Sequence, residues 1–205
     1  GVLQIINKIG HDYVPVAFES DDLSVVKFFA ANASAAIEKA RITRETILRM
    51  IKMAELRDPM ETGSHVNRVG AYSVEIYRHW AKKKGVDDSE IKTYTDNLRI
   101  AAMLHDVGKV AISDTILKKP GKLDEIEFAI IKTHPEEGTK IFENRFYEVD
   151  EMAASISLTH HEKFDGTGYP KGLEGKDIPL CGRIVAIADV YDALISHRVY
   201  KTGMP

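Results

Sequence analysis

LRIAAMLHDVGK, residues 98–109, decides how this chain is read: an almost wholly apolar run, Leu98 to Leu104, ends on His105 and Asp106. A segment that is apolar on nearly every face belongs inside a helical core. Two strong ligand side chains leave it together, with a flexible glycine at Gly108 and a cation at Lys109 behind them. Taken alone, His-Asp is a weak signal. The company it keeps elsewhere in the sequence gives it meaning.

Upstream, Asp58-Pro59 has the chemistry of a helix start, Asp as N-cap and Pro at the first helical position, and that helix runs towards Trp80. A polar stretch, residues 81–90, reads as a solvated loop. Downstream, Pro120-Gly121 makes a turn, Asp124 and Glu127 have capping-pair spacing, and a helix ends near Thr133. His134-Pro135 opens the next helix. Others follow around Met152 to Glu162 and around Arg183 to Ser196, separated by a loop rich in Gly and Pro. The main domain is expected to be all-α.

The helix RIVAIADVYDAL, residues 183–194, carries Asp189 among apolar neighbours. A buried carboxylate needs compensation, from Arg183 or another base, or from a metal ion. His105 and Asp106 make the metal the stronger candidate, since carboxylate supplies charge and imidazole supplies borderline nitrogen to a divalent transition ion. His65, on the helix after Asp58, completes a possible set of four: His65, His105, Asp106 and Asp189.

The order H…HD…D resembles the HD phosphohydrolase superfamily. HDVGK followed by HHEKFDGTGYP, residues 160–170, is similar to its HD-GYP subfamily, and the resemblance extends through RDPMETGSHVNRV (57–69) and HRVYK (197–201) to cover roughly residues 58–205. It implies a helical bundle holding metals between its helices. It also implies a second ion served by His134, His160 and His161, with Asp106 bridging the pair. His160 and His161 would diverge by about a hundred degrees on a helix, one facing the ion and the other reaching it from the rim or the helix end.

Glu61 stands four residues before His65, on the same helix face, where it could share a metal. Equally, its spacing from Asp58 is that of a capping box. Some family members with Glu there resemble a trinuclear subgroup, and a third metal is the favoured reading. Lys109 could hydrogen-bond a scissile phosphate or protonate the leaving oxygen, or could pair with a nearby carboxylate. Arg198 and Lys201 lie on one face and could clamp phosphate oxygens, Arg bidentately, or form a solvated helix end. Asp192, one turn after Asp189, could orient a ligand or contact a base. The resemblance puts the loop of Gly166, Gly168, Tyr169 and Pro170 near the site, where Tyr169 contacts substrate or a protein partner, or packs the loop.

The activity implied is that of a phosphodiesterase cutting cyclic di-GMP to linear pGpG, with a second cut to GMP left open and tied to a wider, third-metal site. A metal-bridging hydroxide would attack phosphorus in line, with no protein nucleophile. Mixed His and carboxylate ligation suits iron, with manganese as alternative, and zinc also fits the ligand types. Two other readings stay open: a general HD nucleotide phosphohydrolase acting on monoesters, and a non-catalytic sensor or adaptor of cyclic di-GMP. Degenerate relatives lose ligands, and none is lost here.

Residues 1–40 resemble the C-terminal end of a GAF sensory domain: the strand-like GVLQIINK, a Phe and an acidic pair, then the helix FFAANASAAIEKARI. So the fold expected is mainly α: an HD-type bundle over 58–205, preceded by a small α+β GAF fragment (1–40) and a connecting helix (41–57). The chain opens at Gly1 without Met, in what reads as mid-strand, which implies sequence upstream. Family members continue into further helices beyond Pro205. Ala33, Ala36, Ala40, Thr43, Ile47, Met50 and Ala54 form a heptad seam, suited to a homodimer or to packing on an upstream domain.

The net charge of −3 gives no basic field for a nucleic-acid polymer. One cysteine, Cys181, allows no internal disulfide, which suits a reducing, cytoplasmic setting. No run is apolar for long enough to span a bilayer.

Overall fold

The computed structural model describes residues 2–55 and 63–196. Its compact units are residues 1–50 and 51–205, and Asp58, Pro59, Glu61, Arg198 and Lys201 lie outside the described residues.

In the first unit, the strand and α+β character expected at the N-terminus are not found. Residues 2–19 contain a single antiparallel bridge, Ile9 with Pro15, closed by Val16 N–H to Lys8 C=O at 2.8 Å and Gly10 N–H to Val14 C=O at 2.9 Å. A strand is stabilised by its neighbours, and the described residues supply none. Helix α1, Ser20–Glu55, begins with Asp21 and Asp22 in its first turn, which complement the helix dipole. It runs unbroken through the seam positions from Ala33 to Ala54.

In the second unit, α2 (Gly63–Lys84), α3 (Asp88–Met103), α6 (His134–Ile141), α7 (Glu148–Thr159) and α8 (Leu180–Ile195) form the bundle, and the short helices α4 (Asp114–Leu117) and α5 (Glu125–Ile131) lie in the connection between α3 and α6. Helix α2 packs on α3 and α8, α3 on α7, and α7 on both α6 and α8. The core they share is built from Val69, Tyr77, Leu98, Ala101, Ala102, Ala153, Ile156, Ile184, Val185 and Ala188. Alanines at Ala101, Ala102, Ala153 and Ala188 let backbones approach closely, so that helix ends carrying polar groups converge over the core rather than being held apart by it.

Asp124 and Glu127 form the expected capping box at the start of α5: Glu127 N–H donates to Asp124 Oδ1 at 2.9 Å, and Asp124 N–H to Glu127 Oε2 at 2.8 Å. Helix α3 stops at Met103, and a 3-10 turn over Val107–Ala111 follows. His105 and Asp106 occupy that break. The 3-10 turn lies against α6, and an added Cβ on Gly108 would stand 2.0 Å from the His134 carbonyl oxygen. Only glycine permits that approach.

Candidate metal centre

Three of the ligand-bearing segments are helix ends. His105 and Asp106 follow the C-terminus of α3, His134 is the first residue of α6, and His160 caps α7 with His161 directly after it. His65, in the first turn of α2, and Asp189, inside α8, complete the arrangement. The sequence placed His160 and His161 within a helix reaching Glu162. The helix ends at Thr159, which lets both rings turn to one side, their centroids 4.0 Å apart.

The ligand atoms gather in two groups, Asp106 with His134, His160 and His161, and His65 with His105 and Asp189, each within 4.8 Å. Asp106 reaches both. Its Oδ2 is 3.1 Å from His105 Nε2, while its Oδ1 is 3.0 Å from His134 Nε2 and 3.5 Å from His160 Nε2. The partner of Asp189 is His65, Nε2 to Oδ1 at 3.4 Å.

Four imidazoles are fixed by what holds their other nitrogen. Nδ1 faces the carbonyl of Ala102 in His105 (2.8 Å), of Ile131 in His134 (2.7 Å) and of Ser157 in His160 (2.9 Å), and faces Asp192 Oδ2 in His65 (2.8 Å). Those oxygens only accept, so each Nδ1 carries a proton and each Nε2 is directed inward as a donor of electrons, the arrangement typical of metal-bound histidine. His134 Nε2 and His160 Nε2 then face one another at 3.3 Å beside a carboxylate oxygen. An electron-pair acceptor, a proton or a metal ion, reconciles three such atoms. The donor set of nitrogen and carboxylate oxygen fits a divalent transition metal.

Burial opposes ionisation of Asp106, but Lys109, His105 and His134 outweigh it and hold the carboxyl well below the usual carboxylate range. Lys109 Nζ lies 2.9 Å from Asp106 Oδ2. Burial also lowers His160, and pushes His161 down to about 2 with help from its histidine neighbour. Both rings are neutral, ligand-competent groups at neutral pH. Unfolding restores their ordinary value of 6.5, so the folded state binds fewer protons than the unfolded one in acid. Stability of the metal-free chain is therefore full above about pH 6.5 and falls below it, by up to about 1.4 kcal/mol per pH unit for each ring. Urea midpoints at a series of pH values from neutral to acid measure this; midpoints that do not fall would contradict it.

Asp192 is 1% exposed and holds His65 from behind. Arg68 grips the same carboxylate, Nε to Oδ1 at 2.6 Å and a terminal nitrogen to Oδ2 at 2.9 Å. Burial would raise the Asp192 carboxyl, and Arg68 and His65 together bring it below its ordinary value. Sequence reading missed Arg68, whose one signal is its place one turn after His65. Asp192→Asn keeps the size and one acceptor but loses the charge that holds both partners. It should weaken the tighter metal by about 10- to 100-fold in chelator competition, with unchanged helix content; an unchanged affinity would remove Asp192 from the site.

Glu162 was also missed. It is 4% exposed and accepts the backbone N–H groups of Lys171 (2.7 Å) and Leu173 (3.1 Å), tying the 163–173 loop to the histidine pair. Gly168 allows the loop to fold back, since a Cβ there would lie 2.3 Å from Lys163 N. Tyr169 stacks on His161, centroids 4.7 Å apart at 29°. Burial pushes its phenol up to about 12, and Asp106 and Asp189 add to the shift. The hydroxyl thus stays protonated and feels the carboxylates of both ligand groups.

Comparison with known proteins assigns the family: the HD domain matches residues 49–205, and this chain belongs to that family. It is 44% identical over 170 residues to 3'3'-cGAMP-specific phosphodiesterase 2 of Vibrio cholerae, covering 83% of this chain and 31% of that protein. A cyclic di-GMP phosphodiesterase of the same organism is 44% identical over 169 residues, with 80% and 34% covered. One from Thermotoga maritima is 42% identical over 160 residues, with 78% and 41% covered. The chain spans about a third of the length of these curated relatives. No described helix is long and apolar enough to cross a membrane.

Proposed function

We propose that this chain is an HD-GYP phosphodiesterase that hydrolyses cyclic di-GMP to pGpG, with a second cut to GMP where a third metal widens the site. The observation that carries the reading is Asp106, whose two oxygens face separate groups of histidine ligands. A shared carboxylate between two nitrogen-rich groups is what a pair of adjacent metal ions needs. The names of the relatives supply the substrate class.

His65, His105 and Asp189 would hold one ion, and His134, His160 and His161 the second, with Asp106 between them; Glu61 is the proposed ligand of a third. Iron is the proposed metal, with manganese as alternative. When bound, the ions supply an activated water and neutralise charge on the phosphodiester. The chain's own residues do the rest. Nδ1 contacts hold the rings in register before any ligand arrives, and Lys109, beside Asp106, stands ready to hydrogen-bond the scissile phosphate or pass a proton to the leaving oxygen. Tyr169, protonated and stacked on His161, contacts the substrate from the loop. Arg198 and Lys201 are proposed phosphate clamps.

A second reading concerns the substrate. One relative named for 3'3'-cGAMP matches at the same 44% identity as one named for cyclic di-GMP, and both ligands are cyclic dinucleotides with two phosphodiesters. Anaerobic incubation of metal-loaded protein with each, followed by chromatography, distinguishes them. Faster conversion of cyclic di-GMP to pGpG or GMP supports the first reading, and faster conversion of cGAMP the second. Binding without turnover of either would leave a sensor.

In the same proposal, residues 1–40 belong to a GAF-like sensory domain, 41–57 link it to the 58–205 enzyme domain, and the protein acts in the cytoplasm as a homodimer through α1. Support comes from the apolar side chains that α1 exposes, Phe28, Phe29, Ile37 and Ile42 among them, which call for a covering surface.

A further inference from the structure

Lys132 caps the C-terminus of α5, two residues before His134. Its half-buried side chain puts the ammonium 4.7 Å from the centroid of Phe128 and 5.3 Å from that of Tyr169. Tyr169 in turn stacks on His161. Two other lysines near the site are neutralised, Lys109 by Asp106 and Lys171 by Glu136 at 3.2 Å. Among the described residues Lys132 has no carboxylate partner. Aromatic faces hold an ammonium in place without cancelling its charge, so a positioned cation with its N–H donors still to be used stands one ring away from the ligand groups.

Such a group suits an anion. A cyclic dinucleotide carries two phosphodiesters, and the metal centre can receive one of them for cleavage; the other is a full negative charge that needs a cation to the side. We propose that Lys132 is a substrate-positioning residue that binds the phosphate not under attack. The inference rests on the phosphodiesterase reading and gives its site a means of distinguishing a cyclic dinucleotide from a simple phosphodiester.

The test compares Lys132→Gln and Lys132→Arg with the unsubstituted chain, metal-loaded, on cyclic di-GMP and on bis(4-nitrophenyl) phosphate, which has a single phosphodiester. The Gln variant should raise KM for cyclic di-GMP about tenfold, the worth of one charge-assisted hydrogen bond. It should leave kcat within about twofold and the single-phosphate substrate unaffected, and the Arg variant should restore most of the loss. Equal losses on both substrates would mean that Lys132 only supports the loop and would overturn the proposal, as would an unchanged KM. If the unsubstituted chain cuts neither substrate, the phosphodiesterase reading fails by itself, and titration with cyclic di-GMP decides on Lys132. Binding about tenfold weaker in the Gln variant sustains the proposal; equal binding, or none in either protein, overturns it.

Discussion

Asp106→Asn is expected to lower kcat/KM on cyclic di-GMP by at least about 10³-fold, some 4 kcal/mol of transition-state stabilisation. The substitution is nearly isosteric, so the effect is electronic. In the native chain one carboxylate faces His105 Nε2 through Oδ2 and His134 Nε2 through Oδ1, and also neutralises Lys109. An amide is neutral and offers one weak acceptor and one N–H pair, so neither ligand group keeps an anionic oxygen, at most one keeps an oxygen donor, and Lys109 loses the charge of Asp106. Metal analysis on the purified variant should show loss of at least one ion per chain. A variant that keeps its full metal content and its turnover would contradict the bridging role.

Gly108→Ala should be as severe by a different route. The new methyl would be 2.0 Å from the His134 carbonyl oxygen and 2.4 Å from the Gly138 nitrogen. Those are backbone atoms, which no rotamer change can move aside, so the 3-10 turn and α6 must separate. Overpacking of this kind costs about 3 kcal/mol, about 10 °C in Tm for a chain of this size. The same displacement carries His134 away from Asp106, so metal affinity should fall along with stability. Thermal melts with and without chelator measure both. An unchanged melting temperature would mean that the close approach of the turn to α6 is not a constraint.

The helical bundle and the His and Asp side chains that gather at its helix ends were legible in the sequence because they are local and chemical. The apolar run before His105 marks a buried helix whatever lies around it, and clustered His and Asp have few other uses inside a core. The expected N-terminal strand failed for the opposite reason: pairing depends on neighbours, and an apolar run such as GVLQIINK says nothing about whether they are present. Contacts across the fold were equally hidden. Arg68 and Asp192 are 124 residues apart, and nothing along the chain pairs them. Glu162 reads as one more polar residue after the histidines until its acceptors are seen to hold Lys171 and Leu173. Lys132 gains meaning only when the loop brings Tyr169 to it.

The central claim is that two adjacent ions, joined through Asp106, make this chain a phosphodiesterase. Its most direct test is reconstitution: strip the protein with chelator, add ferrous or manganous ion anaerobically in measured equivalents, and follow both bound metal and hydrolysis of cyclic di-GMP. The account predicts no turnover in the stripped protein and little until the second equivalent binds, with none at any loading in His160→Ala. Turnover in the stripped chain, or a chain fully loaded with metal that leaves the cyclic dinucleotide intact, would contradict it.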